Sequence, residues 1–279
     1  MRCLTMLTGL LSILLVSTPA GWGASQPAIE IVLSDRTVTL SRSELLQRSD
    51  VTEIRIPRDS TYKQPMSYRA LPLASLLRDL RLGPDEVIEI VATDGFVTLL
   101  PPDLVFAKGR TFSVPYLAIE PADKPWPAVP GKAESAGAFY VVWLKPEASG
   151  VRSEQWPYAV ASFRSAESPV HRWSALAVDE TLPADSPIRA GQALFITQCM
   201  VCHTLSGAGS AHVGPDLNIP QNPTRYLTPL ALRQLIRSPA SVRTWPDMKM
   251  PGFDQDALSD HEIDLIIGYL AHMAGRKKT

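Results

Sequence analysis

Apolar residues recur along this chain with two different periods. In the front half they come as short runs separated by turn-forming residues, and in the back half they repeat every three or four positions. Ile29 to Leu33 and Thr37 to Leu40 flank Ser34-Asp35-Arg36, which reads as a hairpin. Ser41 followed by Glu44 is a capping box and opens a short helix through Leu45 and Leu46. Thr52 to Ile56 alternates like a half-buried strand that stops at Pro57, and Met66 to Ala70 is a further strand. Leu71 to Leu80 carries apolar residues at helical spacing behind Pro72, with Gly83-Pro84 as its stop. Val87 to Ala92 and Phe96 to Leu100 are strands joined at Thr93-Asp94-Gly95, a strong turn signal. Val114 to Glu120, Phe139 to Leu144 and Tyr158 to Arg164 complete an α+β, strand-rich domain over residues 26–180, whose strand pairing the pattern leaves open. The stretch Glu120 to Gly131 is an ordered loop, because Trp126 is costly to leave in water; packing within its own domain is expected.

Asp179 to Pro187, with prolines at 183 and 187, separates the two patterns. Ser186 is an N-cap and Pro187 a first-turn proline, so a helix begins there and runs through Ala190, Leu194 and Phe195 to Cys199. Pro229 to Ser238 is a second helix, with Leu230, Leu232, Leu235 and Ile236 as its apolar members. Ser259 with Glu262 is a capping box, and Ile263, Ile266, Ile267 and Leu270 make the apolar face of a last helix. An all-α domain over residues 186–276 is expected. The tail from Arg276 is basic and frayed.

The N-terminus has another character. Arg2 precedes a run from Leu4 to Val16 that is apolar apart from small or hydroxyl residues, and small residues gather at 19–24. That is the layout of a signal peptide over residues 1–24, cleaved near residues 20–28. The competing reading is an uncleaved anchor, although the run is short for a bilayer. Cys3 precedes the run and is not placed to become a lipidated terminus. No later stretch is apolar enough to span a membrane, so an exported protein is expected, with no stable span after cleavage.

Composition narrows the field. The 279 residues suggest two domains, and 27 basic against 28 acidic residues leave a net charge of −1, which does not advertise a nucleic-acid partner. Twenty-five prolines favour short elements over long helices. Of three cysteines, Cys199 and Cys202 share one motif, so residues 26–180 hold none.

That motif, Cys199-Met200-Val201-Cys202-His203, is the c-type haem attachment pattern. On the first turn of a helix, residues i and i+3 share a face, so both sulfurs reach the vinyl groups of one porphyrin edge and His203 falls under the iron. A redox dithiol or half a zinc site is the alternative; the adjacent histidine and the lack of further cysteines argue against both. One motif means one haem c.

Here the residues resemble a family, the class I cytochromes c. Gly191, Leu194, Phe195, Cys199, Cys202 and His203 fit its "G-x-x-L-F-x-x-x-C-x-x-C-H" helix. Gly214-Pro215-Asp216-Leu217 fits its "G-P-x-L" segment, whose proline carbonyl accepts the ligand histidine's hydrogen bond; the resemblance implies that role for Gly214, Pro215 and Leu217. Met250, Pro251 and Phe253 fit "M-P-x-F", implying Met250 as the sixth iron ligand, with Met248 as competitor. The resemblance also implies that the last helix crosses the first. His212 is read as a loop histidine, His261 and His272 as solvent-side, and His171 is given no role.

The front half is similar to another family. Leu71-Pro72-Leu73 with Leu76-Leu77, the strand Val87 to Ala92 and Asp94-Gly95-Phe96 resemble the pterin-binding domain of sulfite-oxidase-type molybdenum enzymes. Phe139 to Pro146 and Glu154-Gln155-Trp156 resemble its closing region. That family binds molybdenum through a cysteine thiolate, which residues 26–180 lack, so a molybdenum cofactor is not expected. Asp94 and Gly95 are then turn formers, and the domain a docking or accessory module.

The expected function is single-electron transfer by an exported, periplasmic monohaem cytochrome c, a carrier rather than an enzyme. Its partner is a redox protein: a dehydrogenase, an oxidase or another cytochrome. The alternative is a periplasmic oxidoreductase whose front domain binds a cofactor or substrate and passes electrons to the haem.

Overall fold

The computed structural model describes residues 26–276 apart from 108, 110 and 212. The expected signal peptide, His212 and the tail beyond Arg276 lie outside the described residues.

The front half holds two sheets. β1 (Ala28–Val32) and β2 (Thr37–Ser41) form the expected antiparallel hairpin, closed by Leu33 N–H donating to the Arg36 carbonyl at 2.8 Å. Ser41 then caps α1 (Arg42–Leu46) in a full capping box with Glu44. β3 (Thr52–Ile56) pairs with β4 (Met66–Pro72), β5 (Glu86–Ala92) with β6 (Val97–Leu100), and β7 (Val114–Ile119) with β8 (Phe139–Leu144). With β9 (Val160–Glu167) the strands assemble as β2-β1-β9-β5-β6 and β3-β4-β7-β8. Only β1 and β9 run parallel, and they are far apart in sequence, which is why local pattern left the pairing open.

The expected helix over Leu71 to Leu80 is shorter than its spacing suggests. Leu71 and Pro72 close strand β4, and only Leu73–Leu76 forms a helical turn, α2. Leu71 pairs with Leu117 of β7, so strand hydrogen bonds outweigh helical periodicity there. A short helix α3 (Pro102–Phe106) had not been anticipated. Trp126 is buried in its own domain, edge-on to Tyr68 with ring centroids 5.0 Å apart. The Thr93–Gly95 turn joins β5 to β6, with Gly95 at φ 85°, a conformation glycine adopts without strain.

Beyond α4 (Pro169–Arg172) the chain enters a second, separate core. Leu176 and Val178, ahead of the proline-rich linker, are already buried in it; the Leu176 carbonyl accepts from Gln192 Nε2 at 2.7 Å and Tyr269 Oη at 2.8 Å. This half is helical: α5 (Pro187–Gln198), α6 (Pro229–Arg237), α7 (Pro239–Val242) and α8 (Asp260–Ala274). Ser186, Thr228 and Ser259 cap α5, α6 and α8. α5 crosses α8 at Gly191, where a Cβ would stand 2.1 Å from the Leu265 carbonyl oxygen. Beside this contact Phe195 packs on Tyr269, ring centroids 5.3 Å apart.

Ion pairs join the halves. Arg152 bonds Glu262, Arg58 bonds Asp256, and Lys63 stands 3.9 Å from Asp254.

Candidate haem centre

Helix α5 ends where the cysteine motif begins. Cys199 is its C-cap, and the Cys199 carbonyl accepts from Cys202 N–H at 3.1 Å and His203 N–H at 2.9 Å. The motif therefore closes the last turn of a helix and does not open one, as had been expected. The face-sharing argument survives, because the same turn brings both thiols and the imidazole to one cavity.

That cavity opens to solvent, and with the solvent at its mouth counted the empty space comes to about 1270 Å³. Cys199, Cys202, His203, Gly214, Pro215, Leu217, Met250, Pro251 and Phe253, all singled out in sequence, line it together. Leu232, Leu235 and Ile236 of α6 and Ile266 and Leu270 of α8 supply an apolar wall. Met248 is half-buried but does not line it.

The proximal side is held by hydrogen bonds. His203 Nδ1 lies 2.8 Å from the Pro215 carbonyl, which can only accept, so Nδ1 carries the proton and Nε2 keeps a free lone pair. Burial pushes the His203 pKa down, against the raising effect of the Pro215 carbonyl, favouring the neutral ring that binds a metal. A Cβ on Gly214 would stand 2.5 Å from His203 Cε1, so the imidazole sits in a cradle that only glycine leaves open. Asp216, not anticipated, organises the loop. Its carboxylate accepts from the N–H groups of Ser206, Gly207, Asn218 and Ile219 and from Thr204 Oγ1. Partial burial pulls its pKa up, but these donors outweigh it and the carboxyl lies below its ordinary value.

On the other side the Met250 segment is anchored to α6. Phe253 N–H donates to the Ile236 carbonyl at 3.2 Å, and Arg237 Nη1 donates to the carbonyls of Phe253 and Leu258 at 2.5 and 2.7 Å. Gly252 passes so close to α6 that a Cβ would meet the Arg237 carbonyl oxygen at 2.7 Å.

The residues fit a covalent haem better than the alternatives. Burial, with the Glu154 charge adding to it, pushes the Cys199 thiol up to about 12 and raises Cys202 as well. A redox dithiol needs the opposite, a lowered thiol pKa. One soft thioether and one neutral imidazole in the same apolar cavity are a donor pair suited to haem iron.

Residues 188–274 match the family model of cytochrome c. No curated protein matches the chain. The match supports a C-terminal c-type cytochrome domain, with haem c as its cofactor, electron transfer as its work and a redox partner in general terms. The resemblance of the front half to pterin-binding domains is not confirmed by it.

Sequence reasoning gave Glu154, Gln198 and Arg237 no place at this site. Gln198 precedes the motif and its Nε2 donates to the Ala257 carbonyl at 3.2 Å. Glu154 comes from the strand-rich half and still lines the cytochrome domain's cavity, a placement with no local signal. His171 stands 3.6 Å from Asp85, and His261 is exposed. His272, read as solvent-side, is half-buried, its Nε2 accepting from Asp179 N–H at 3.4 Å.

Proposed function

We propose that the chain is an exported, periplasmic electron carrier with one covalent haem c, whose iron His203 and Met250 would hold. The observation that carries this is the gathering of Cys199, Cys202, His203 and Met250 around one cavity. Haem c supplies an iron that exchanges one electron with a partner. The protein's own residues bind and orient it. Cys199 and Cys202 tether it, and the Pro215 carbonyl fixes the His203 ring and raises its basicity. The Phe253 and Arg237 hydrogen bonds hold the Met250 loop against α6. The apolar wall excludes water. The thioether favours ferrous iron and so a higher potential than a second imidazole would give. His203 and Met250 would both be committed to holding the haem, leaving neither free to act on a substrate, which suits a carrier better than an enzyme.

The strand-rich half serves as a docking or accessory module in this reading. A second reading, a periplasmic oxidoreductase whose front domain feeds the haem, is favoured by one observation. A solvent-open cleft between the halves shares Glu154, Pro251 and Phe253 with the haem cavity. The absence of cysteine from residues 26–180 speaks against molybdenum as the cofactor there.

The test is expression of the full chain with haem supplied, followed by fractionation, haem stoichiometry and metal analysis. Periplasmic protein with one covalent haem and iron alone is expected. Loss of the haem in neither C199S nor C202S overturns the assignment, and molybdenum at one per chain moves the reading to the oxidoreductase.

A further inference from the structure

Glu154 lies in the 3-10 turn Ser153–Gln155, outside the cytochrome domain, yet its side chain lines two chambers. One is the haem cavity, where it acts electrostatically on Cys199 and Cys202; the other is the solvent-connected cleft between the halves. A carboxyl so placed faces the cofactor on one side and a water path on the other.

Its ionised form has little support. Ser153 Oγ, at 3.4 Å, is its hydrogen-bond donor among the described residues. Lys63, the cation facing it in the cleft, is shared with Asp254 at 3.9 Å. The other charged groups of the cleft are Asp94 and Asp254, both acidic, with Tyr158 beside them. Across the haem cavity stand Arg243, Asp247 and Lys249 of the Met250 loop, and His203. Arg152, its neighbour in sequence, is committed to Glu262. Of the elements packed on this turn, β6 carries no charge and α5 contributes Gln198 and Cys199 to the cavity, with its one charged residue, Arg189, bound to the carbonyls of Leu182 and Pro183. Burial pushes the Glu154 pKa above the ordinary carboxyl value, opposed by Ser153 and Lys63.

We propose that Glu154 is a proton-binding site coupled to the haem electron: a carboxylate when the iron is ferric, a carboxylic acid when it is ferrous. The inference rests on the haem reading above. The electron comes from the redox partner and the proton from a hydronium ion of the solvent-connected cleft, whose O–H bond breaks to leave water as the Glu154 O–H forms; the exchange reverses when the electron leaves. Added negative charge at the iron raises the proton affinity of a nearby carboxyl in a poorly polarisable cavity. The strand-rich half would then set how the cytochrome potential responds to pH.

The experiment is spectroelectrochemical titration of the purified holoprotein and of E154Q between about pH 5 and 9. The wild-type midpoint should fall as pH rises, a tenfold redox-linked change in proton affinity being about 59 mV for one electron. E154Q should lose that slope down to the part owed to the haem's own carboxylates. A flat wild-type profile, or an unchanged slope in E154Q, overturns the proposal. Should E154Q fail to accumulate, redox-difference infrared spectra of wild-type protein labelled with carboxyl-13C glutamate decide. A label-sensitive protonated-carboxyl band appearing on reduction supports the proposal, and its absence overturns it. An intact haem spectrum with a flat midpoint sinks this inference alone, whereas a protein without covalent haem sinks the reading beneath it.

Discussion

Gly214 lies so close under the His203 imidazole that an added Cβ would be 2.5 Å from Cε1 and 2.6 Å from Nδ1. Backbone and ring are thus packed face to face, with the Pro215 carbonyl 2.8 Å from Nδ1 holding the ring in plane. Gly214→Ala must move either the ring or the loop. The expected outcome is haem retained on Cys199 and Cys202 but with His203 ligation weakened, read as a lower fraction of low-spin protein. Overpacking of this kind costs about 1–3 kcal/mol. Wild-type spectra and stability in G214A would show that the cradle has no role.

Met250 lines the cavity and Met248 does not. Met250→Ala should therefore lower the reduction potential by on the order of 100 mV or more, since a thioether holds ferrous iron better than water or nitrogen ligands do. Met248→Ala should leave it nearly unchanged. Potentiometry of the two variants checks this, and the reverse result would move the ligand assignment to Met248.

The α5–α8 crossing predicts an intolerant glycine. A Cβ at residue 191 meets the Leu265 carbonyl at 2.1 Å and its carbon at 2.8 Å, both backbone atoms that cannot turn aside. Gly191→Ala should destabilise the cytochrome domain by about 2–3 kcal/mol, spread the helices and lower haem yield. Denaturant unfolding followed at the haem band measures it; a change within error would mean that the helices part without cost.

Acid should weaken the strand-rich half through Asp50. Arg48, bonded at 2.7 Å, draws its pKa down to about 2 against partial burial, with help from Ser75. A carboxyl held below its unfolded value adds stability that is complete above about pH 3.9 and lost as pH falls through the folded value. With both side chains 28% exposed, solvent screening holds the contribution to about 1–2 kcal/mol. Asp50→Asn should thus cost stability at pH 7 and little near pH 2. A difference that does not shrink with acid would assign the effect to hydrogen bonding alone.

What the sequence made legible was local. Ser41 with Glu44 and Ser259 with Glu262 announced their helices because a cap is written within four residues. The C-x-x-C-H run was legible as one short motif, whereas residues 214–217 and 250–253 were picked out by resemblance to a family; all three stretches line one cavity. Leu71 misled, because its strand partner Leu117 is 46 positions away in a chain whose pattern there also suits a helix. Glu154 and Arg237 were invisible because their roles depend on which remote segment the fold lays against them. Asp216 could have been suspected from Asn218 two residues on, an Asx-turn spacing, but nothing in that spacing reveals five donors converging on one carboxylate.

The carboxylate of Glu262 serves two masters. It receives the Ser259 N–H at 2.8 Å as the closing half of a helix cap, and it receives Arg152 from the opposite half of the molecule. Pulling the halves apart would take the cation from one oxygen of Glu262 and leave the Ser259 cap on the other, at the opening turn of α8, whose Ile266 and Leu270, one and two turns further along, form part of the chamber wall. One carboxylate thus ties the start of that helix both to its own cap and to the strand-rich half, beside the Arg58–Asp256 and Lys63–Asp254 pairs.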